Sequence, residues 1–303
     1  MRVAAIDCGT NSIRLLIADH ADGALRDVVR QMLVVRLGEG VDRTGVLSPA
    51  AIERTRSALA GYVHLIHAHD VERIRMVATS ASRDATNAEE FERMVIEVLG
   101  QRAEVITGDE EARLSFNGAI RGLGADVELP TVVVDIGGGS TEFILGSTEV
   151  QAGCSVDIGC VRMTERHLRS DPPTLGEIEA ARADIDAAIA AAARLVPLSE
   201  AASLVGVAGS VTTVAAIALD LPAYDPIAIH GSRVSADRVG VISSQLLTMS
   251  RAERAEIPVM HPGRVDVIGA GALVLHQVVQ RMGMREVIVS EADILDGIAW
   301  SLV

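Results

Sequence analysis

The sequence predicts an α/β protein with mixed sheets, built as two lobes. Short apolar runs typical of strands alternate with helical segments along the 303 residues. One pattern occurs twice, because Asp-x-Gly-x-x-Ser stands at residues 7–12 and at residues 135–140, each time between two apolar runs. Since domains usually contain about 100 to 200 residues, we expect two, residues 1–124 and residues 125–303, with the last helix able to pack back on the first lobe.

The first lobe begins with a hairpin. Apolar runs at residues 3–6 and 13–18 flank the first turn and predict strand, tight turn, strand. The other elements expected here are a helix from the cap Ser48 and the N1 proline Pro49 to about residue 69, a strand at 73–78, a helix from a capping box at Thr86 and Glu89 to about residue 99, a strand at 104–106, and a helix after Gly108.

An equivalent hairpin begins the second lobe, with apolar runs at residues 132–134 and 143–145. The loop at residues 122–126 is the expected boundary between the lobes. The elements that follow are a helix from a capping box at Thr174 and Glu177 to near Arg194, a strand at 204–207, an apolar helix after residues 209–213, a helix at 266–282, a strand at 286–289 and a terminal helix at 293–302.

Charge and composition exclude several classes of protein. The chain has 41 acidic and 27 basic residues, and its net charge of −14 argues against nucleic acid or a membrane surface as a partner. All the basic residues are arginine. The absence of lysine excludes a P-loop lysine, a Schiff-base lysine and the strand lysine of protein kinases. Any phosphate must therefore be held by backbone N–H groups, arginine or a metal.

The cysteines indicate the compartment. Cys8, Cys154 and Cys160 are odd in number and form no Cys-x-x-Cys pair, so neither a disulfide framework nor a zinc site is expected. The chain starts without a charged segment and cleavage site, and no apolar run is long enough to span a membrane. We expect an unsecreted, cytoplasmic protein.

The two turns are candidate phosphate-binding loops. Glycines at the second turn would let a phosphate chain approach backbone N–H groups, and two such turns facing one ligand would form a clamp. The simpler alternative is that each glycine only permits a tight turn. The candidate phosphate-binding residues are Gly9, Thr10, Asn11, Ser12, Gly137, Gly138, Gly139, Ser140 and Thr141.

Carboxylates accompany both turns. Asp7 and Asp135 end matched strands, and Glu142 follows the second turn. Carboxylates beside a phosphate would repel it unless a hard cation such as Mg²⁺ lay between them, so we predict metal ligands. The alternative is that the aspartates accept backbone hydrogen bonds that shape the turns.

Two further candidates lie in the first lobe. Arg83, in the loop after a predicted strand, gains weight as a phosphate ligand because the chain lacks lysine. Glu110 and Glu111 begin a predicted helix, where local evidence favours a plain interaction with the helix dipole.

Taken together, these segments resemble the exopolyphosphatase and guanosine pentaphosphate phosphohydrolase (Ppx/GppA) family. The matching segments are residues 7–12, 78–87, 107–114, 135–142, 206–213, 230–231 and 263–268, in the family's order and spacing. Any one of them alone is a weak signal, but the resemblance covers essentially the whole chain. Long members carry an additional C-terminal helical domain, so this chain resembles a short two-domain form.

The resemblance implies the two-lobed, ribonuclease H-like fold of the actin-like ATPase and sugar-kinase superfamily, with a cleft between the domains. It implies an exopolyphosphatase that removes the terminal phosphate of inorganic polyphosphate, with Mg²⁺ or another hard divalent cation as cofactor and a homodimer as the assembly. Carried over by position, Glu111 matches the glutamate that activates water, which reverses the local interpretation. Asp135 and Glu142 match the magnesium-associated carboxylates, and Arg83, Gly209 and Ser210 join the phosphate-binding set.

Alternatives remain open. The close one is removal of the 5′-terminal phosphate of pppGpp, which uses the same chemistry. Less expected are a small-molecule kinase and a non-catalytic nucleotide- or polyphosphate-binding regulator. One departure bears on the last segment, because Leu295 stands where the family often has arginine.

Overall fold

The computed structural model describes residues 1–124 and 127–303. The chain forms two compact units: unit 1 comprises Met1–Gly118 and Ile294–Val303, and unit 2 comprises Ala119–Asp293. The expected boundary between residues 124 and 125 falls at Ala125, which lies with Asp126 outside the described residues. The C-terminal segment belongs to unit 1.

The regular elements alternate as the sequence predicts. The strands are β1 (Arg2–Cys8), β2 (Ser12–Ala21), β3 (Ala24–Val34), β4 (Arg73–Ala78), β5 (Glu104–Val105), β6 (Thr131–Ile136), β7 (Thr141–Gly146), β8 (Val150–Val156), β9 (Ser203–Val207), β10 (Arg233–Ser235) and β11 (Glu286–Val289). The helices are α1 (Val41–Thr44), α2 (Pro49–Ala68), α3 (Ser80–Asp84), α4 (Ala88–Leu99), α5 (Gly108–Leu123), α6 (Cys160–His167), α7 (Leu175–Ala192), α8 (Ala208–Ala218), α9 (Pro226–Ile229), α10 (Ala236–Thr248), α11 (Arg251–Ala255), α12 (Ile268–Met282) and α13 (Ile294–Trp300).

The two sheets share one strand order. In unit 1 it is β3-β2-β1-β4-β5, with β1, β2 and β3 antiparallel and β4 and β5 parallel to β1. In unit 2 the sequence β8-β7-β6-β9-β11 repeats that order, and β10 adds an antiparallel edge. This is the strand order of the ribonuclease H-like fold. The predicted fold class is confirmed in each unit.

Both hairpins place an acidic residue and a turn at the carboxyl end of a central strand. β1 is almost completely buried because apolar residues occupy both of its faces, and β6 is buried along its whole length. Such strands lie in the middle of a sheet that is covered on both sides. Their carboxyl ends are the edge at which open α/β sheets bind ligands.

The long strand β3 is absent from the sequence-based expectations. It is an edge strand whose residues are mostly exposed, so arginine, aspartate and glutamine interrupt its apolar pattern. An edge strand needs only one hydrogen-bonded side and no buried face, and its sequence carries a correspondingly weak signal.

The caps were predicted with mixed success. Ser48 accepts a hydrogen bond from the N–H of Ala51, and the capping box of α7 is present as expected. The box at Thr86 and Glu89 is wrong. Thr86 Oγ1 instead donates to the carbonyl of Gly45, and α4 starts at Ala88 without a side-chain cap. A tertiary contact has displaced the local one.

The C-terminal helix of unit 1 packs closely against α5. A Cβ on Gly297 would lie 2.0 Å from the carbonyl oxygen of Leu114, so only glycine permits this approach. Leu295, at 1% exposure, joins the apolar cluster that covers one face of the unit 1 sheet. In this chain, Leu295 is therefore a core residue. Among the described residues, none of the helices combines the length and apolar character that a bilayer crossing requires.

Candidate functional site

The glycine turn of unit 2 is backed by helix α6. The residues at the start of that helix donate five hydrogen bonds to the carbonyl oxygens of the glycine turn: Gly159 N to Gly139 O at 3.2 Å, Cys160 N to Gly137 O at 2.9 Å, Val161 N to Gly138 O at 2.9 Å, Arg162 N to Gly138 O at 3.1 Å and Arg162 Nε to Gly139 O at 2.7 Å. A Cβ on Gly159 would lie 2.2 Å from the Gly138 oxygen. The oxygens that would repel an anion are thus held on the helix side of the turn, which favours an anion-binding role for its amides.

Unit 1 backs its turn with the segment after β3. Val35 N and Arg36 N both donate to Asn11 O, and Gly38 N donates to Thr10 O at 2.9 Å. The hydroxyl of Thr10 is 2.9 Å from Ser80 Oγ at the start of α3. In both units, therefore, the chain that follows the third strand takes up the carbonyl groups of the turn.

The acidic residue of unit 1 has a cationic partner. Asp7 pairs in register with Arg14 on β2, and the Arg14 Nη2 and Nε groups donate to Asp7 Oδ2 at 2.7 and 3.0 Å. The Asp7 side chain is 7% exposed, so this ion pair is largely buried. Arg14 is not among the residues singled out from the sequence. The hairpin register would have found it, because residues facing each other across a tight turn share one face of the sheet.

The acidic residue of unit 2 faces a second carboxylate. Asp135 pairs in register with Glu142 on β7, and both residues are buried, at 6% and 1% exposure. Directly opposed side chains in an antiparallel pair have Cβ atoms about 5 Å apart. Ser155 Oγ, on β8, donates to Glu142 Oε1 at 2.7 Å. Carboxylate oxygen atoms are the ligands that a hard divalent cation prefers.

The metal prediction named Asp7, Asp135 and Glu142. Within the described ranges, no group of three or more His, Cys, Asp or Glu side chains is arranged to hold a metal ion. The pair Asp135 and Glu142 is brought together, whereas Asp7 is engaged by Arg14. The assignment of all three to one cation stays a prediction.

The predicted base, Glu111, is buried in the first turn of α5 at 7% exposure. Arg83 Nη1 donates to Glu111 Oε2 at 3.1 Å and to the carbonyl of Ile106, also at 3.1 Å. Arg83 lies on the short helix α3, and not in a loop as expected. The neighbouring Glu110 points to Arg75 on β4, with Arg75 Nη2 3.2 Å from Glu110 Oε1. The two adjacent glutamates therefore have different partners, and only Glu111 is buried.

The predicted residues Gly209 and Ser210 lie in the first turn of α8. Ala208 begins this helix with φ of 70°, an uncommon conformation for a residue other than glycine. A Cβ on Gly209 would lie 2.3 Å from Nη2 of Arg264, so the guanidinium rests directly on the Gly209 backbone. Arg264 Nη1 donates to Thr213 Oγ1 at 3.0 Å. Arg264 brings a cation to the start of α8, and it is absent from the site residues predicted from the sequence.

Cys160 connects the two candidate phosphate-binding segments of unit 2. Its N–H donates to Gly137 O, and its side chain is hydrogen-bonded to Ser210. Burial raises the pKa of this thiol, while the Ser210 contact and the Arg264 charge oppose that rise. The thiol is therefore a neutral packing element.

Arg264 could have been found from the sequence. In a chain without lysine, an arginine that follows a glycine is a candidate ligand for an anion.

Comparison with known proteins gives the family of the chain. The model of the Ppx/GppA phosphatase family matches residues 16–303. Exopolyphosphatase 2 of Mycobacterium tuberculosis is 53% identical over 314 aligned residues, which cover 99% of this chain and 98% of that protein. The crystal structure of an exopolyphosphatase-like protein shares 43% identity with a TM-score of 0.96, covering 100% of this chain and 98% of the other.

A second crystal structure matches over the whole chain at lower identity. The crystal structure of the Ppx/GppA family member of Aquifex aeolicus is 32% identical with a TM-score of 0.82, and the match covers 100% of this chain and 98% of that one. The chain belongs to the Ppx/GppA phosphatase family.

Proposed function

We propose that this protein is an exopolyphosphatase, which hydrolyses the terminal phosphoanhydride bond of inorganic polyphosphate and releases orthophosphate. The observation that carries the proposal is the position of Glu111. Its carboxylate is buried at the start of a helix and forms an ion pair with Arg83. A water-activating base needs a fixed acceptor oxygen in a site that can exclude solvent. The relatives named as exopolyphosphatases support the choice of substrate.

In the proposed reaction Glu111 accepts a proton from the attacking water. At the same time, the oxygen of that water forms a bond to the terminal phosphorus. The P–O bond to the bridging oxygen breaks, and the shortened polyphosphate leaves with the electron pair. The amides of the glycine turn at residues 137–140 bind oxygens of the phosphate chain. Arg83 binds the terminal phosphoryl group and stabilises the charge that develops on it.

A divalent cation fits the residues of unit 2. Asp135 and Glu142 would hold it, because they are buried at directly opposed positions of the hairpin and their carboxylate oxygens suit a hard divalent cation. When bound, such a cation supplies Lewis-acid stabilisation of phosphoryl oxygens. We do not assign Asp7 to the cation, because its carboxylate already forms an ion pair with Arg14. Mg²⁺ is the proposed ion, and the dependence of activity on Mg²⁺, Mn²⁺ and Ca²⁺ would identify it.

The test of the function is Glu111→Gln, with Glu110→Gln as the matched control. Loss of a general base usually lowers turnover by about 10²- to 10⁴-fold, and we expect this for Glu111→Gln with binding of polyphosphate retained. Glu110→Gln, whose partner is Arg75, is expected to stay within about twofold of the parent protein. Equal turnover of the two variants would refute the assignment of the base.

The alternative substrate is pppGpp, whose terminal phosphate leaves by the same chemistry. Phosphate release from polyphosphates of several lengths and from pppGpp, measured side by side, separates the two. A higher kcat/KM for pppGpp would replace the proposed substrate and keep the mechanism. Phosphate transfer to a sugar or carboxylate acceptor would instead indicate a kinase. Binding of phosphate chains without release of phosphate would indicate a regulator.

Two further proposals concern the cellular compartment and the oligomeric state of the protein. We place the protein in the reducing cytoplasm because Cys8, Cys154 and Cys160 are all buried thiols. We also propose a homodimer, as the family resemblance implies. Light scattering of the purified protein would test the dimer, and fractionation of expressing cells would test the compartment.

A further inference from the structure

We propose that Arg83 is a shared residue, which holds the base Glu111 with one nitrogen and the terminal phosphoryl group with its remaining N–H groups. This inference rests on the proposed function and adds a coupling between substrate binding and the base. Arg83 would then act on the substrate directly and on the attacking water through Glu111.

Within the described residues, the Arg83 side chain uses one nitrogen of its guanidinium for hydrogen bonds to the protein. Both acceptors that Arg83 contacts are reached by Nη1, namely Glu111 Oε2 and the carbonyl of Ile106. Within the part of the chain that the structure describes, the Nε and Nη2 groups of Arg83 make no hydrogen bond. Arginine carries five N–H donors in a fixed plane, so three of them stay available for oxygen atoms of a ligand.

The Arg83 side chain is 28% exposed and the Glu111 side chain only 9%. Arg83 therefore reaches from solvent to the buried carboxylate. A phosphoryl group bound by the Nε and Nη2 groups of Arg83 would be separated from Glu111 only by the guanidinium group.

The N–H groups of Ser82 and Arg83 donate to Thr79 O, which ties α3 to the end of β4. Ser80 Oγ lies against Thr10 of the first turn, and Ile106 precedes the helix that carries Glu111. Arg83 is thus fixed between the phosphate-binding turn of unit 1 and the first turn of α5. A fixed plane can set the direction between phosphate and base, whereas a flexible ammonium cannot.

The coupling is tested with a double-mutant cycle made of Arg83→Ala, Glu111→Gln and the combined variant. If Arg83 acts through Glu111, we expect Arg83→Ala to lower kcat at least tenfold in the parent protein and less than about threefold in the Glu111→Gln background. The dissociation constant for polyphosphate should rise by the same factor in both backgrounds. Additive losses of kcat would overturn the inference.

A second pair of variants excludes a general effect of charge or stability. Arg83→Lys keeps the charge but loses the fork, so we expect near-parent polyphosphate binding with kcat lowered about tenfold. Arg102→Ala, an arginine of unit 1 that is 77% exposed, is the control and should leave both quantities unchanged. Parent-like kcat in Arg83→Lys would contradict the shared role. Turnover of the parent protein on polyphosphate tests the proposed function separately, and unfolding temperatures show that each variant is folded.

Discussion

Unit 1 and unit 2 use the same hairpin for different electrostatic purposes. At the equivalent register position, Asp7 faces Arg14 whereas Asp135 faces Glu142. The first pair joins an aspartate to an arginine, and the second places two buried acidic side chains at opposed positions. Carboxylate oxygens are the ligands that a hard divalent cation prefers, so we propose the cation site at the second hairpin and not at the first. Two copies of one backbone motif have thus diverged at a single cross-strand position.

Among the variants that compare the two units, the largest expected effect comes from removing one carboxylate of the acidic pair of unit 2. Glu142→Gln keeps the size of the side chain and the contact with Ser155, but removes one of two carboxylates. We expect the concentration of Mg²⁺ that gives half-maximal phosphate release to rise about 10- to 100-fold, in line with the loss of a metal-supporting group. Direct Mn²⁺ titration by calorimetry provides a measurement that does not depend on turnover.

The matched variant in unit 1 is Asp7→Asn. It disrupts an arginine pair and should leave the Mg²⁺ requirement unchanged. If Asp7→Asn shifts the Mg²⁺ dependence as far as Glu142→Gln does, then both hairpins contribute to the cation site and the contrast between the units is wrong.

A smaller effect is expected from filling the glycines that back the two turns. A Cβ at Gly159 would meet backbone atoms of Gly138 at 2.2 and 2.3 Å, whereas a Cβ at Gly38 would meet the Thr10 methyl group at 2.3 Å. Backbone cannot rotate away, but the threonine side chain can. We expect Gly159→Ala to cost about 1 to 3 kcal/mol of stability and to weaken phosphate binding, and Gly38→Ala to cost less. Denaturant unfolding of both variants makes the comparison, and the reverse order would show that the turn of unit 1 is the tighter one.

The smallest effect concerns a helix cap, and it is sensitive to pH. The hydrogen bond from the Thr174 backbone N–H, helped by one from its hydroxyl, lowers the pKa of Glu177 in the capping box to about 2. Since the folded pKa lies below the ordinary value, the stabilisation is present above about pH 4.3 and is lost as the pH falls toward 2. Glu177→Gln should unfold at a slightly lower temperature than the parent at pH 7 and converge with it near pH 2.

The helix α2 of unit 1 provides the control for this prediction. Its cap is the neutral hydroxyl of Ser48, which does not titrate in this range. Ser48→Ala should therefore lower the unfolding temperature by an amount that does not change between pH 7 and pH 2. A gap for Glu177→Gln that is equally constant would contradict the role of its charge.

The sequence predicts the fold well where local and tertiary preferences agree. The hairpins, β4, α2 and α7 follow from apolar runs and caps, and the strand order repeats as the duplicated motif implies. It fails where a tertiary contact decides. Thr86 bonds to Gly45 in place of the helix it was expected to cap, and β3 is held by pairing with β2 in spite of its polar residues.

The candidate site also has parts that local sequence predicts and parts that only tertiary contacts determine. Asp135, Glu142 and the glycine turn are visible as a motif, and residues from distant segments meet only in the folded chain. Arg14 could have been found from the hairpin register, but the contact of Arg83 with Glu111 joins positions separated by a helix and a strand. No local pattern reports such a contact. Only the resemblance to the family pointed to Glu111.

The backing of the glycine turn by α6 also fixes its polarity. A peptide flip is the usual way in which a glycine-rich turn exchanges an inward amide for an inward carbonyl. At residues 137–139 such a flip would break hydrogen bonds to Gly159, Cys160 or Val161 and leave helix N–H groups without acceptors. The turn therefore has the polarity that the proposed phosphate binding requires before any ligand arrives, and we expect binding to need little reorganisation of the backbone.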